Sequence, residues 1–373
     1  MNKTIYLDNA ATTVLDDSVL AAMLPYLKSE YGNPQSQHAA GRAAAEGLLR
    51  ARDEVARIFG CNGGEVYFMS GGTEAGNFVV KGVCAAYGKG HLIVSAIEHP
   101  AVIESALDMQ KRGFEVTFIT PDERGIILPE SIEKAIRKDT IFCAVMAANN
   151  EIGTIQNVQK IGEICTRSGI FYYADCVQSV GAVPFPVGYA SAFAVSAHKF
   201  YGPKGVAAMY IKGGSKIPPL ISGGRQEKGL RGGTVNVASA VGLATALKVA
   251  VKGENNIQIA FLRDEFIRRI LSEIPETYLN GDKNLRVPSN ANISFGGCDG
   301  ANILFCLDLK GICASTGSAC SAGAVTPSRV ITATAGEERA KSAVRFTFGK
   351  YNTMEEVDYT VYVLKEIVAK IRK

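Results

Sequence analysis

Residues 170–211 read IFYYADCVQSVGAVPFPVGYASAFAVSAHKFYGPKGVAAMYI. Three apolar, β-rich runs stand in this stretch, at 170–174, 192–196 and 206–211. Short apolar runs bounded by turn-forming residues read as buried strands. Runs of the same kind occur upstream at 65–69, 91–95, 114–119 and 141–147. Between them lie segments with helical spacing: 39–59 (stopped by Gly60), 73–87, 100–112 and 158–168. Such alternation predicts parallel strands joined by right-handed crossovers, an α/β fold with a mostly parallel sheet flanked by helices.

The helical stretch 237–251 and the polar turn KGENN (252–256) mark the exit from that sheet. Beyond them come an amphipathic segment (257–273), a strand (291–295), a helix (300–309), a loop, a strand (343–348) and a closing helix (353–371). A chain of 373 residues is too long for one ordinary core. The expected division is a large α/β domain over 16–252 and a smaller α+β domain formed by 1–15 with 253–373.

Apolar residues make up 47% and charged residues 20%, a globular balance. The net charge of +4, with no Lys/Arg-rich run, offers no footprint for nucleic acid, and no direct nucleic-acid binding is expected. The nine cysteines are odd in number and include no C-x-x-C pair, which speaks against a disulfide framework or a zinc site. No metal is expected, and the usage suits a reducing cytoplasm. The start, MNKTIYLDNAATT, has no apolar signal core, and no stretch is apolar enough to span a bilayer.

In open α/β sheets, ligands gather where the strands end. Polar clusters follow five predicted strands: SGGTEAGN (70–77), IEHP (97–100), NNEIGT (149–154), ADCVQS (174–179) and AHK (197–199). The glycine turn at 70–77 opens a helix, whose free N–H groups suit a phosphate, and Thr73 adds a hydroxyl. It matches no nucleotide fingerprint and by itself could be an ordinary strand–helix turn. Lys199 follows an apolar strand. A lysine entering a buried crevice has a lowered pKa and can form a Schiff base, although an isolated one is more often a surface residue. Ser196 and His198 could donate to the same phosphate as Thr73. Asp175 is either a helix cap or a buried carboxylate awaiting a cationic partner, with Gln178 one turn later. His99 precedes Pro100; it is either structural or a flat ring able to stack and move protons. Cys320 lies among small residues in ASTGSACSAG (314–323), the setting of a reactive loop thiol.

Taken together these strings resemble the cysteine desulfurases of the class V aminotransferase superfamily, pyridoxal-phosphate enzymes of fold type I. The likeness runs from YLDNAATT (6–13) and GNPQSQHAAG (32–41) through SAHKFYGPKG (196–205) and STGSAC (315–320) to VRFTFGKYNTMEEV (344–357). The resemblance implies that Lys199 carries pyridoxal 5'-phosphate and moves the Cα proton. It implies that Asp175 pairs with the pyridinium nitrogen, Gln178 bonds the ring hydroxyl and His99 stacks on the ring. Gly72, Thr73, Ser196 and His198 would hold the phosphate, with Asn150 beside the cofactor. Arg345, with Asn33, would clamp the carboxylate of L-cysteine. Thr234, in GGRQEKGLRGGTVN (223–236), would cross to the neighbouring subunit's phosphate, which implies a homodimer.

The implied reaction makes L-alanine and a persulfide on Cys320, passed to an acceptor such as an iron–sulphur scaffold or a tRNA-thiolation enzyme. STGSAC resembles the pattern of the first group of these enzymes, in which the cysteine rides on a long loop. Departures from relatives stand at SAGAVTPSRV (321–330) and at Val235, and leave the acceptor open. Two rivals stand beside this expectation: a selenocysteine lyase or aminotransferase of the same fold, and a module that only delivers sulphur made elsewhere.

Overall fold

The computed structural model describes residues 4–316 and 327–373. Its strands in chain order are β1 (Ile5–Tyr6), β2 (Val66–Met69), β3 (His91–Ser95), β4 (Glu115–Ile119), β5 (Thr140–Ala144), β6 (Phe171–Asp175), β7 (Ala192–Ser196), β8 (Ala207–Ile211), β9 (Thr277–Leu279), β10 (Asn290–Phe295), β11 (Ile312–Cys313) and β12 (Ala343–Thr347). Seven of them form one sheet in the order β2-β8-β7-β6-β5-β3-β4.

Within that sheet the strands β4, β3, β5, β6 and β7 pair in parallel, as the alternation predicts. Strand β8 departs from the expectation, running antiparallel to both β7 and β2. Only residues 197–206 join β7 to β8, and a parallel crossover needs a dozen residues or more. The segment that carries Lys199 is therefore a tight reversal. Because β8 is flanked by antiparallel neighbours on both sides, β2 runs the same way as β7. All five strands that precede the polar clusters thus end on one edge of the sheet.

Apolar cores lie on either face of this sheet. Phe193 shows how one of them is built. It is fully buried, with ring centroids 4.8 Å from Phe59, 5.6 Å from Phe185 and 4.9 Å from Tyr210. Phe59 closes the helix Ala39–Phe59, which starts at His38 and stops at Gly60 in the left-handed conformation (φ +80°). Burying one such ring is worth ~1.5–3 kcal/mol. A third core gathers Ile5 and Leu7 with the C-terminal elements, including Phe266, Phe346 and Val361. There β10 pairs with β9 and β12, while β1 pairs in parallel with β11.

Four helices escape the sequence reading: Asp17–Lys28, Pro129–Ala135, Arg329–Ala335 and Glu337–Lys341. The first contains Pro25, which removes an intrahelical donor, and its apolar positions Leu20, Leu24 and Leu27 are exposed. The other three are too short to show a period. Among the described residues no helix is long and apolar enough to cross a membrane.

Candidate active site

A cavity of about 420 Å³ opens at the carboxyl edge of the sheet. Gly72, Thr73, His99, Asn150, Asp175, Gln178, Ser196, His198, Lys199 and Arg345 all line it. These residues come from five strand ends and from β12, so the fold brings together side chains that lie far apart in sequence.

One end is built for an anion. The helix Gly72–Tyr87 begins here, and its first backbone bond is donated by Ala75 to Gly71. The N–H groups of Gly72, Thr73 and Glu74 precede that bond and point out of the helix, with the positive end of its dipole. A Cβ at Gly72 would meet Val177 Cγ2 at 3.0 Å, so the helix start packs closely against the turn after β6. Ser196 and His198, at the end of β7, line the same cavity. Burial, together with the charges of Lys199 and Lys204, holds His198 down at about 4. Its ring is neutral at pH 7 and lies 3.2 Å from Thr12 Oγ1.

Asp175 stands at the middle of the cavity, 6% exposed, where one carboxylate oxygen accepts the Val177 N–H at 2.9 Å. Burial raises its pKa, opposed by that hydrogen bond and by the nearby His99 and Lys199. A buried carboxylate of this kind is stabilised by a cationic ring nitrogen. His99 has the structural role that the sequence offered, and it also faces the cavity. It caps the helix Pro100–Lys111, with Nδ1 accepting from Ala101 N at 3.1 Å, and it lines the cavity. Burial lowers its pKa, and because Nδ1 accepts from Ala101 N the ring's hydrogen sits on Nε2.

Lys199 leaves the reversal after β7. Its Nζ donates to the carbonyls of Ala10 and Ala11, each at 2.8 Å. Gln178 donates to Ala10 O at 3.0 Å. Arg345, 3% exposed, donates from Nη1 to Asn150 O at 2.8 Å and from Nη2 to Asp8 Oδ1 at 2.9 Å. Its Nε is buried and meets no acceptor among the described residues. An orphaned buried donor is costly, and a carboxylate is one kind of group able to satisfy a guanidinium N–H.

Two expected residues lie elsewhere in the chain. Asn33 does not line this cavity; its amide oxygen accepts from Gln35 N in a local turn. Thr234 is exposed and also outside it. The two segments meet through Gln226, whose Nε2 donates to Gln35 Oε1 and whose Oε1 accepts from Gly233 N. Cys320 lies outside the described residues. Cys176 is buried beside Asp175, and burial pushes its thiol well above the ordinary range.

The sequence reading missed three kinds of contribution. The stretch 8–13 touches Arg345, Lys199, Gln178 and His198, and Thr13 also accepts from Tyr201 N. The signal for this stretch is the string YLDNAATT (6–13), which carries part of the family resemblance. Glu98 is fully buried, accepts from Met146 N at 2.7 Å, and is pushed up to about 8 by burial and by Asp175. Glu74 accepts from Arg231, tying the anion end to the segment that carries Thr234.

Comparison with known proteins decides the family. The family model "Aminotransferase class-V" matches residues 5–360. The chain belongs to that family. Among its relatives are "Cysteine desulfurase IscS" of Dictyoglomus turgidum, 44% identical over all of this chain and 96% of that one, and the protein of the same name from Methanosarcina thermophila, 43% identical over all of this chain and 93% of that one. A solved "NIFS-LIKE PROTEIN" superposes with a TM-score of 0.92 at 35% identity, covering 99% of this chain and all of that one. Membership of the class-V aminotransferases bears out the α/β expectation and that of an enzyme.

Proposed function

We propose that this class-V family member is a cysteine desulfurase that takes sulphur from L-cysteine and leaves it as a persulfide on Cys320. The observation that carries the reading is the single cavity in which a lysine amine, a buried carboxylate, an anion-binding helix start and an arginine converge. That donor set fits pyridoxal 5'-phosphate: Gly72, Thr73, Ser196 and His198 for its phosphate, Asp175 for its ring nitrogen, Gln178 for its hydroxyl, and Asn150 beside it. When bound, this cofactor withdraws electrons from the substrate's Cα.

The protein's own part follows from its groups. Arg345 holds the substrate carboxylate, which sets the amine toward Lys199. Lys199 is the amine that would hold the cofactor, and the same amine is the group that would carry the substrate's Cα proton. His99, neutral and fixed by its cap, covers the ring and offers Nε2–H. The Cys320 thiolate forms an S–S bond with the substrate sulphur. The Cβ–S bond breaks, its electron pair stays with Cβ, and a proton taken there completes alanine. Only a thiolate attacks in this way, so Cys176, buried and protonated, is a poor rival.

We also propose a homodimer in which Thr234 and Asn33 serve the neighbouring site. Both lie outside this chain's cavity and are joined by Gln226. The exposed stripe Leu20, Leu24, Leu27 and Tyr31 supports an interface on the same subunit. The persulfide then goes to an acceptor protein. The test is stoichiometry: purified protein given L-cysteine and a thiol reductant should yield equal amounts of alanine and sulphide. Pyruvate, or alanine made without sulphur release, would overturn the reading.

A further inference from the structure

The motif YLDNAATT contains a carboxylate that the proposed chemistry does not use. Asp8 pairs with Arg345 at 2.9 Å, and the pair is largely shielded, with side chains 18% and 3% exposed. Neither partner is free to wander. Asp8 is held by a bridge to Thr347, with Leu7 O accepting from Thr347 N at 2.7 Å. Arg345 sits in mid-strand between β10 and Ser315, to both of which its backbone pairs. Arg345 lines the cavity and Asp8 does not, so a ligand there would meet the guanidinium and not the carboxylate.

We infer that Asp8 is a positioning and charge-balancing residue that moderates the grip of Arg345 on α-carboxylates. This rests on the reading of Arg345 as the carboxylate clamp. A lone buried guanidinium would hold any α-carboxylate strongly. Substrate cysteine and product alanine carry the same carboxylate, so an unmoderated clamp would retain the product as firmly as it captures the substrate. Asp8 offsets part of the positive charge. Through Nη2 it also fixes the plane of the guanidinium, while Nη1 is held by Asn150 O and Nε has no acceptor among the described residues.

The experiment measures equilibrium binding to the cofactor-loaded enzyme by calorimetry, with L-alanine and with L-alaninol, the same amine lacking the carboxylate. Asp8→Asn keeps an oxygen to accept from Nη2 and removes the charge. It should bind L-alanine about three- to tenfold more tightly while binding L-alaninol as the wild type does, an electrostatic gain on the order of 1 kcal/mol. A purely structural role would weaken both ligands together. Should Asp8→Asn fold poorly, Asp8→Ser is read the same way. Unchanged or weaker alanine binding, while Arg345→Lys loses tenfold or more, would overturn the role of Asp8 alone. Arg345→Lys binding alanine as tightly as the wild type would remove the clamp reading itself, and this inference with it.

Discussion

The two ends of the cavity are made differently. The anion end is assembled from the main sheet alone: the helix start at Gly72 and the reversal at Ser196–His198 each follow directly from one of its strands. The carboxylate end is assembled from far apart, with Arg345 on β12, Asn150 after β5 and Asp8 beside β1. Backbone N–H groups and glycine dominate the first end, and a shielded ion pair dominates the second. An end made of backbone tolerates side-chain change, whereas an end made of one buried cation does not.

That contrast is sharpest at Lys199, which stands between the ends. Lys199→Ala should lower desulfurase turnover by roughly 10³-fold or more and abolish the visible absorbance of the bound cofactor. Its thermal unfolding should remain a single cooperative transition, because Lys199 belongs to neither core. Retained turnover would break the account of both ends at once.

Next in size, the ends should respond separately. Arg345→Lys loses the two-pronged grip and should raise the KM for cysteine by about 10- to 100-fold, with cofactor affinity little changed. Asp175→Asn should do the reverse, weakening cofactor binding while leaving the carboxylate contact intact. Combined, the two changes should add to within about 0.5 kcal/mol if the ends are independent. Strong coupling in titrations of cofactor and substrate would show that the division is wrong.

The same contrast explains how much could be read before the structure. Each strand that precedes a polar cluster was visible as an apolar run, and the turn residues after it named the anion end. The reversed direction of β8 was readable only from the shortness of 197–206, which the alternation obscured. Arg345 gives no local signal: it lies within VRFT, a strand like any other, and only resemblance marked it. Asp8 and the carbonyls of Ala10 and Ala11 were hidden for a related reason. Backbone acceptors carry no residue signature, and an ion pair spanning 337 positions has no spacing to detect. Glu98 was passed over in IEHP because a glutamate beside a histidine looks solvated, and nothing in the string shows its complete burial.

Smaller effects should appear in stability against pH, measured on cofactor-free protein by urea unfolding. Glu98 keeps its proton up to about 8 when folded, against an ordinary value of 4.5. The folded state holds the extra proton between these values, so this contribution is full below 4.5 and is lost as pH rises through about 8. Glu98→Gln, which still accepts from Met146 N, should flatten the loss of stability between 4.5 and about 8. His198 runs the other way. Its pKa falls from 6.5 to about 4 on folding, so the unfolded chain takes the proton first and stability drops as pH falls through that window. His198→Asn should flatten the acid side by a smaller amount, since the ring is partly exposed. A wild-type slope in either variant would place the titration on other groups.

The central claim is that sulphur leaves cysteine at this cavity and arrives on Cys320. Its most direct test is a short pulse of L-cysteine to the cofactor-loaded enzyme, followed by alkylation and peptide mass spectrometry. The account predicts one added sulphur on the peptide containing Cys320, absent from that containing Cys176 and absent altogether from Cys320→Ser, which should still bind cofactor and cysteine. A persulfide on Cys176, or undiminished sulphide release from Cys320→Ser, would contradict it.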